Sequence, residues 1–126
     1  MCEKRAIITG VTGFVGAHIA KRLLDLGYEV YGFMRRRADG LPPSRLVERG
    51  VYGQVTLLDG DIQNLPSIIS ALEKSEPDVV FHLAAQSYIP RSFLLPLETY
   101  ETNTVGTLNL LEAVRIKEYN PKIIFA

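Results

Sequence analysis

The sequence predicts an α/β protein in which helices cover both faces of a parallel β-sheet. Short, nearly continuous apolar runs alternate with segments of helical periodicity along the 126 residues. Strands of a parallel sheet are buried on both faces and have this continuous apolar character, and the helices between them form right-handed crossovers. A glycine-rich loop also joins the first apolar run to the first helical segment. These observations together favour a doubly wound parallel sheet.

The first strand and helix are predicted from the change of period at the glycine-rich loop. Residues 6–9 form a short apolar run that ends at a glycine, which is typical of a buried strand. From Phe14 the apolar residues recur at helical spacing, and Gly27 provides a C-terminal stop signal. Residues 29–34 are again mostly apolar and predict the second strand.

The next segment is predicted as a loop followed by a strand and a helix. Residues 35–53 are polar and contain Pro42, Pro43 and three glycines, so we expect a loop with at most one helical turn near Leu46. Residues 55–58 predict the third strand. Residues 66–74 predict a helix, with Pro66 near its first turn.

The last part of the chain predicts two more strands and a long helix. Residues 78–83 form the fourth strand, and a loop containing Pro90 and Pro96 follows. A helix is expected from about 97 to 117 with Val105, Leu108, Leu111 and Val114 among its core candidates, and residues 122–126 begin a fifth strand. The expected order is 3-2-1-4-5, a Rossmann-type sheet whose ligand crevice lies at the carboxyl ends of strands one and four.

The composition is that of a soluble globular protein. Fourteen basic and fourteen acidic side chains cancel, which argues against nucleic acid or an anionic membrane as the main partner. No run approaches the ~20 apolar residues that span a bilayer. The single cysteine, Cys2, allows no intrachain disulfide, and neither His18 nor His82 has a partner at ligand spacing, so we expect no metal site and a cytoplasmic location.

The glycine-rich loop predicts a dinucleotide site. Gly10, Gly13 and Gly16 lie between a strand and a helix, where bare backbone amides and the helix dipole can bind a diphosphate. A plain tight turn does not explain three evenly spaced glycines. A P-loop would need Lys and Ser or Thr after the last glycine, and Ala17 and His18 stand there instead.

Several motifs carry a family resemblance. They are Ile8-Thr9-Gly10-Val11-Thr12-Gly13, Arg35-Arg36, Gly60-Asp61-Ile62, Leu83-Ala84-Ala85-Gln86-Ser87, Ser92-Phe93, Asn103-x-x-Gly106-Thr107 and Leu110-Leu111-Glu112-Ala113. With them the chain resembles the extended short-chain dehydrogenases/reductases that act on nucleotide sugars, and among these the branch of GDP-mannose 4,6-dehydratases and the related GDP-4-keto-6-deoxymannose reductases. The resemblance covers essentially the whole chain.

The loop and the resemblance together predict the cofactor-binding residues. They are Thr9, Gly10, Thr12, Gly13, Phe14, Val15, Gly16, Arg35, Arg36, Asp61, Ile62, Leu83, Ala84, Ala85, Gln86, Ser87 and Tyr100. The resemblance implies that Asp61 accepts a hydrogen bond from the adenine amino group, although an Asp that only caps a turn is an equal alternative from the residues themselves. It also implies that Gln86 and Ser87 lie near the nicotinamide and the sugar. We expect Arg91 to be a surface arginine and Asn103 to bond backbone within its own helix region.

The cofactor is expected to be NADP, with NAD as the alternative. NAD enzymes usually have a carboxylate at the end of strand two, where this chain has Phe33 and Met34, followed by Arg35, Arg36 and Arg37. Arginine matches a 2′-phosphate in a bidentate manner. Asp39 keeps NAD open as a displaced ribose ligand. The resemblance also implies NADP.

The resemblance implies catalytic residues that this sequence does not contain. The family uses a Ser or Thr after strand five and a Tyr-x-x-x-Lys pair on the next helix, so we assign no catalytic residue here. We therefore expect residues 1–126 to be the NADP-binding portion of a longer nucleotide-sugar 4,6-dehydratase, inactive by itself. A nucleotide-sugar 4-epimerase or the reductase of the same family, and a non-catalytic NADP sensor, are the alternatives. An uncovered apolar face and strand edge predict a homo-oligomer.

Overall fold

A computed structural model of the chain describes residues 4–36 and 38–126. Cys2 and Arg37 lie outside the described residues. The strands are β1 (Arg5–Thr9), β2 (Glu29–Met34), β3 (Thr56–Asp59), β4 (Val79–His82) and β5 (Lys122–Phe125). The α-helices are α1 (Phe14–Asp25), α2 (Ser44–Glu48), α3 (Leu65–Ser75), α4 (Ile89–Leu94), α5 (Pro96–Tyr100) and α6 (Gly106–Lys117), with a 3₁₀ turn at Tyr52–Gln54 and a π-helical turn at Glu101–Val105.

The described strands form one parallel sheet in the order β3-β2-β1-β4-β5, which confirms the predicted topology. The register of the sheet aligns the carboxyl ends of β1, β2 and β4. Thr9 at the end of β1 pairs with Phe33 of β2 on one side and with His82 of β4 on the other. The chain segments that follow β1, β2 and β4 therefore leave the sheet at the same end, the carboxyl end of the strands, where the predicted crevice lies.

Two clusters of buried apolar side chains form the core, one on each face of the sheet. Neighbouring residues of β1 point to opposite faces, so Ile8 joins the cluster under α1 and α2, whereas Ile7 joins the cluster under α3 and α6. Leu46 of α2 is completely buried in the first cluster. The helical turn expected near Leu46 is thus a short helix that covers one face of the sheet.

The helices after β4 differ in part from the prediction. The loop expected around Pro90 and Pro96 contains α4, and both prolines occupy first-turn positions of helices. Proline is favoured at such positions because its missing N–H is not needed there, so these residues begin helices here. The long helix predicted from about 97 to 117 is confirmed, since α5, the π-helical turn and α6 follow one another without a break from Pro96 to Lys117.

The predicted core face of α6 is only partly correct, since Val114 packs against the buried cluster but Leu108 and Leu111 do not. Leu108 and Leu111 are 58% and 46% exposed, whereas Leu110 and Ala113 are buried against the sheet and α3. Apolar residues on both sides of the helix made its phase ambiguous in the sequence. Within the described ranges, none of the helices combines the length and apolar character needed to cross a membrane.

Candidate functional site

A cleft of about 960 Å³ opens at the carboxyl ends of β1, β2, β3 and β4. Every predicted cofactor-binding residue except Thr9 and Tyr100 lines it. Its other lining residues are Phe33, Met34, Gly60, Gln63, Arg91, Glu98 and Thr102. The sheet register therefore brings together segments that are as far apart in the sequence as the glycine-rich loop and the residues after β4.

Gly10 and Gly16 are required by the packing of the glycine-rich loop. Gly10 has φ of +72°, and a Cβ there would lie 2.9 Å from the backbone of Leu83 and Ala84. A Cβ on Gly16 would lie 2.3 Å from the carbonyl oxygen of Gly10. These two glycines allow the turn to lie against the residues after β4 and allow α1 to begin directly behind it.

Gly13 differs from the other two because its place in the fold does not demand glycine. It is the N-cap of α1, with φ −77° and ψ 174°, a conformation that any residue adopts. A Cβ there would meet only the carbonyl oxygen of Gly10, at 3.3 Å, and Gly13 lines the cleft. A side chain at this position would enter the space in front of the helix.

The N-terminus of α1 faces the cleft without a side-chain cap. No side chain caps its N-terminal amides among the described residues, and no acidic residue occupies its first turn. The first amides of a helix and the helix dipole create partial positive charge, which is stabilised by an anion. Phe14 and Val15 in this turn line the cleft and are 64% and 54% exposed, so a ligand has access to the amides.

One end of the cleft is formed by the residues after β2 and β3. Arg35 and Arg36 are exposed and line it directly after β2. The carboxylate of Asp61 accepts a hydrogen bond from the Gln63 N–H at 2.9 Å while the residue also lines the cleft. Asp61 therefore caps a turn and also lines the cleft, and its contact with adenine stays a prediction.

The opposite end is formed by residues 83–87, which we call the β4 loop; all five line the cleft. Asn103 of the π-helical turn fixes this loop, since its Oδ1 accepts the Gln86 N–H at 2.7 Å and its Nδ2 donates to the Gln86 carbonyl at 2.9 Å. The expectation that Asn103 bonds backbone within its own helix region was wrong. The partner, Gln86, lies 17 residues earlier in the chain, outside the helical segment of Asn103.

Thr9 lies beneath the cleft and does not line it. Its side chain is buried, and its Oγ1 accepts hydrogen bonds from the Leu83 and Ala84 N–H groups at 3.0 and 3.1 Å. The same oxygen lies 2.8 Å from Nδ1 of His82, whose pKa is lowered by burial. Thr9 thus contacts the backbone of the cleft wall.

Tyr100 is 58% exposed and is not among the lining residues. Glu98 and Thr102, two residues before and after it, line the cleft instead. Residues four apart lie on the same face of a helix, so a periodicity argument starting from Thr102 would have found Glu98. The predicted start of this helix at about residue 97 agrees with Pro96, but the sequence did not show which face of the helix lines the cleft.

Arg91 is an exposed arginine, as expected, and it also lines the cleft. It lies on α4, the helix that was not predicted, and its Nη2 donates to both carboxylate oxygens of Glu98 at 2.8 and 3.0 Å. Gln63 forms a further bridge across the rim by donating to the Thr102 hydroxyl at 3.1 Å. These four side chains close the cleft at the side of α4 and α5.

A family profile described as GDP-mannose 4,6 dehydratase matches residues 7–126. The chain belongs to the GDP-mannose 4,6-dehydratase family. It is 36% identical to the GDP-mannose 4,6-dehydratase of Yersinia enterocolitica over 127 residues, which cover 97% of this chain and 34% of that protein. It is also 36% identical to GDP-mannose 4,6 dehydratase 2 of Caenorhabditis elegans, over 98% of this chain and 34% of that protein.

Solved structures of nucleotide-sugar epimerases share the fold of this GDP-mannose 4,6-dehydratase family member. The crystal structure of the UDP-glucose 4-epimerase of Thermus thermophilus in complex with NAD matches with a TM-score of 0.76 and 30% identity, covering 96% of this chain and 36% of that one. The chain thus spans only 34% of the length of the two curated relatives.

Proposed function

We propose that the cleft binds NADP, with the diphosphate against the N-terminus of α1, and that the chain is the cofactor-binding part of a nucleotide-sugar 4,6-dehydratase. The observation that carries this proposal is the geometry at Gly13. The helix amides lack a side-chain cap among the described residues, and the glycine leaves open the space in front of them. A diphosphate supplies the negative charge that this arrangement stabilises.

The order of residues along the cleft gives the nucleotide a direction. Arg35, Arg36 and Asp61 lie at one end and suit the adenosine half, whereas the β4 loop lies at the other end and suits the nicotinamide half. The glycine-rich loop lies between them, where the two phosphates join these halves. The structures of several similar epimerases contain NAD, which supports a nicotinamide cofactor in general.

The choice of NADP rests on the two arginines. The cleft residues at the end of β2 are Met34, Arg35 and Arg36, and an acid that could bind a ribose 2′-hydroxyl is not among them. Asp39, the alternative ribose ligand, is not a lining residue of the described cleft, and its carboxylate accepts the Leu41 N–H at 3.0 Å. A guanidinium group here would bind the 2′-phosphate in a bidentate manner.

The reaction of the whole protein is proposed from the family. A bound NADP would accept the hydride from C4 of the sugar and return it to C6 after water is eliminated across C5 and C6. The described residues bind and orient the cofactor for this chemistry, and the family's catalytic Ser/Thr and Tyr-x-x-x-Lys residues are not in this sequence. A 4-epimerase or 4-keto reductase would use the same cleft, and so would a non-catalytic NADP sensor.

Calorimetry with NADP and NAD tests the cofactor proposal. Removing Arg35 and Arg36 together by substitution to Ala should weaken NADP binding by about tenfold or more and leave NAD binding within about twofold, because only NADP loses charge-assisted hydrogen bonds. A matched variant, Arg22→Ala with Lys74→Ala, removes two exposed positive charges from helices away from the cleft lining and should change neither affinity. Equal affinity for NADP in the wild type and the Arg35/Arg36 variant would contradict NADP specificity.

A further inference from the structure

His82 is a buried titratable residue that the cofactor proposal does not use. It is the last residue of β4, is 2% exposed, and is bonded at both ring nitrogens. Nδ1 lies 2.8 Å from the Thr9 hydroxyl and Nε2 lies 3.0 Å from the Thr107 hydroxyl. The ring of Phe125 stacks over the imidazole with a centroid distance of 5.7 Å.

The neighbouring hydrogen bonds determine which atom donates and which accepts in each hydrogen bond to the imidazole. The Thr107 hydroxyl donates its only proton to the Asn103 carbonyl at 2.7 Å, so it can only accept from Nε2 of His82. Nε2 therefore carries the proton, and Nδ1 of the neutral ring is an acceptor. The Thr9 hydroxyl donates to Nδ1, which leaves its lone pairs to accept the Leu83 and Ala84 N–H groups.

Both ends of this chain of hydrogen bonds reach the β4 loop. At one end Thr9 binds the N–H groups of Leu83 and Ala84. At the other end Thr107 fixes the backbone of Asn103, whose side chain binds the backbone of Gln86 on both its N–H and its carbonyl. The imidazole of His82, which donates from Nε2 and accepts at Nδ1, therefore connects Thr107 on α6 with Thr9 on β1.

We propose that His82, as its neutral Nε2–H tautomer, is a positioning residue that holds the β4 loop in the shape that receives the nicotinamide half of the nucleotide. This inference rests on the proposed cofactor site. The imidazole does not itself line the cleft. It acts through Thr9 on one side and through Thr107 and Asn103 on the other, in the way that outer-shell hydrogen bonds orient binding groups in other sites.

The tautomer is tested first, by ¹⁵N NMR of the imidazole in the histidine-labelled chain. At neutral pH the His82 Nε2 should have the shift of a protonated, pyrrole-type nitrogen and Nδ1 that of an unprotonated one. The pattern should be the same with and without nucleotide, because the protein supplies all the partners. The opposite tautomer, or a protonated ring, would overturn the assignment.

The positioning role is tested by comparing two ligands. His82→Leu should weaken NADP binding by about tenfold, whereas binding of adenosine 2′,5′-bisphosphate should stay within about twofold because it does not reach the β4 loop. His82→Asn, whose Oδ1 can still accept the Thr9 hydroxyl, should recover most of the NADP affinity. Ser75→Ala is the matched control: it removes a buried hydrogen bond of 2.8 Å to the Ala71 carbonyl, far from the loop, and should change neither affinity.

Each remaining outcome has a definite meaning. If His82→Leu binds both ligands equally more weakly than the wild type, the substitution causes a general loss of structure and the inference is overturned. If the leucine variant does not fold, the same result in His82→Asn overturns it. Unchanged NADP affinity in a folded His82→Leu variant would overturn it as well, with the cofactor site intact. A wild-type chain that binds neither ligand would refute the cofactor site and the role of His82 together, while the NMR result would still report the tautomer.

Discussion

Two glycines of the loop, Gly16 and Gly13, should respond differently to substitution by alanine. At Gly16 the new Cβ would lie 2.3 Å from the Gly10 carbonyl oxygen and 2.8 Å from Cα of Val11, and both are backbone atoms that cannot move aside cheaply. We expect Gly16→Ala to lower the free energy of unfolding by about 1–3 kcal/mol or more, as overpacking does. Gly16 is therefore required by the packing of the backbone.

Gly13→Ala should have little effect on stability but should weaken nucleotide binding. Its Cβ would lie 3.3 Å from the Gly10 carbonyl oxygen in an extended conformation, so the neighbour needs to move by only a few tenths of an ångström. The unfolding free energy should therefore stay within about 1 kcal/mol of the wild type. The methyl group would occupy the space where the diphosphate meets the helix amides, and the loss of one charge-assisted hydrogen bond of about 1.5–3 kcal/mol weakens binding about tenfold to hundredfold.

Urea denaturation and calorimetric titration with NADP measure the two quantities separately. Gly53→Ala is the matched control, because nothing lies within 4 Å of its added Cβ and the residue is outside the cleft. It should change neither stability nor affinity appreciably. If Gly13→Ala binds NADP within about twofold of the wild type, the diphosphate does not rest against Gly13 and the reasoning is refuted.

Two further predictions concern the pH dependence of the unfolding free energy and the association of the chain in solution. Burial lowers the pKa of His82 below its ordinary 6.5, so the unfolded state binds more protons as the pH falls below that value. The unfolding free energy should therefore fall as the pH drops below about 6.5, by at most about 1.4 kcal/mol per pH unit from this group, and His82→Asn should flatten the fall; parallel curves would contradict this. Phe93 and Leu94 are 82% and 80% exposed, so we expect concentration-dependent association by light scattering, reduced in Phe93→Ser/Leu94→Ser. A wild-type chain that stays monomeric and unfolds cooperatively at high concentration would oppose this.

The sheet and the glycine-rich loop could be predicted because their signals are local. The continuous apolar character of residues 6–9 and 29–34 reports burial on both faces, and the order of the strands follows from general rules on crossovers. The glycines report backbone geometry directly: Gly10 has positive φ and Gly16 touches backbone. Together with the family resemblance, these signals predicted fifteen residues that line the cleft, although their contact with a nucleotide stays a prediction.

The helix α4 could not be predicted from the sequence. Pro90 is compatible with a loop and with the start of a helix, and no residue of α4 is buried, so the segment has no apolar periodicity that would indicate a helix. The helix that starts at Pro96 was predicted, but the sequence did not show that the face carrying Glu98 and Thr102, and not Tyr100, lines the cleft. The bonds of His82 likewise join residues 25 and 73 positions apart, a separation that no local pattern reports.

A crystal structure of the chain grown with NADP tests the central claim most directly. The account predicts that diphosphate oxygens lie within hydrogen-bond distance of the backbone amides at the start of α1, in front of Gly13. It also predicts the 2′-phosphate beside Arg35 and Arg36 and the nicotinamide beside the β4 loop. A nucleotide bound in the cleft with its diphosphate away from the α1 amides, or bound elsewhere on the molecule, would contradict it.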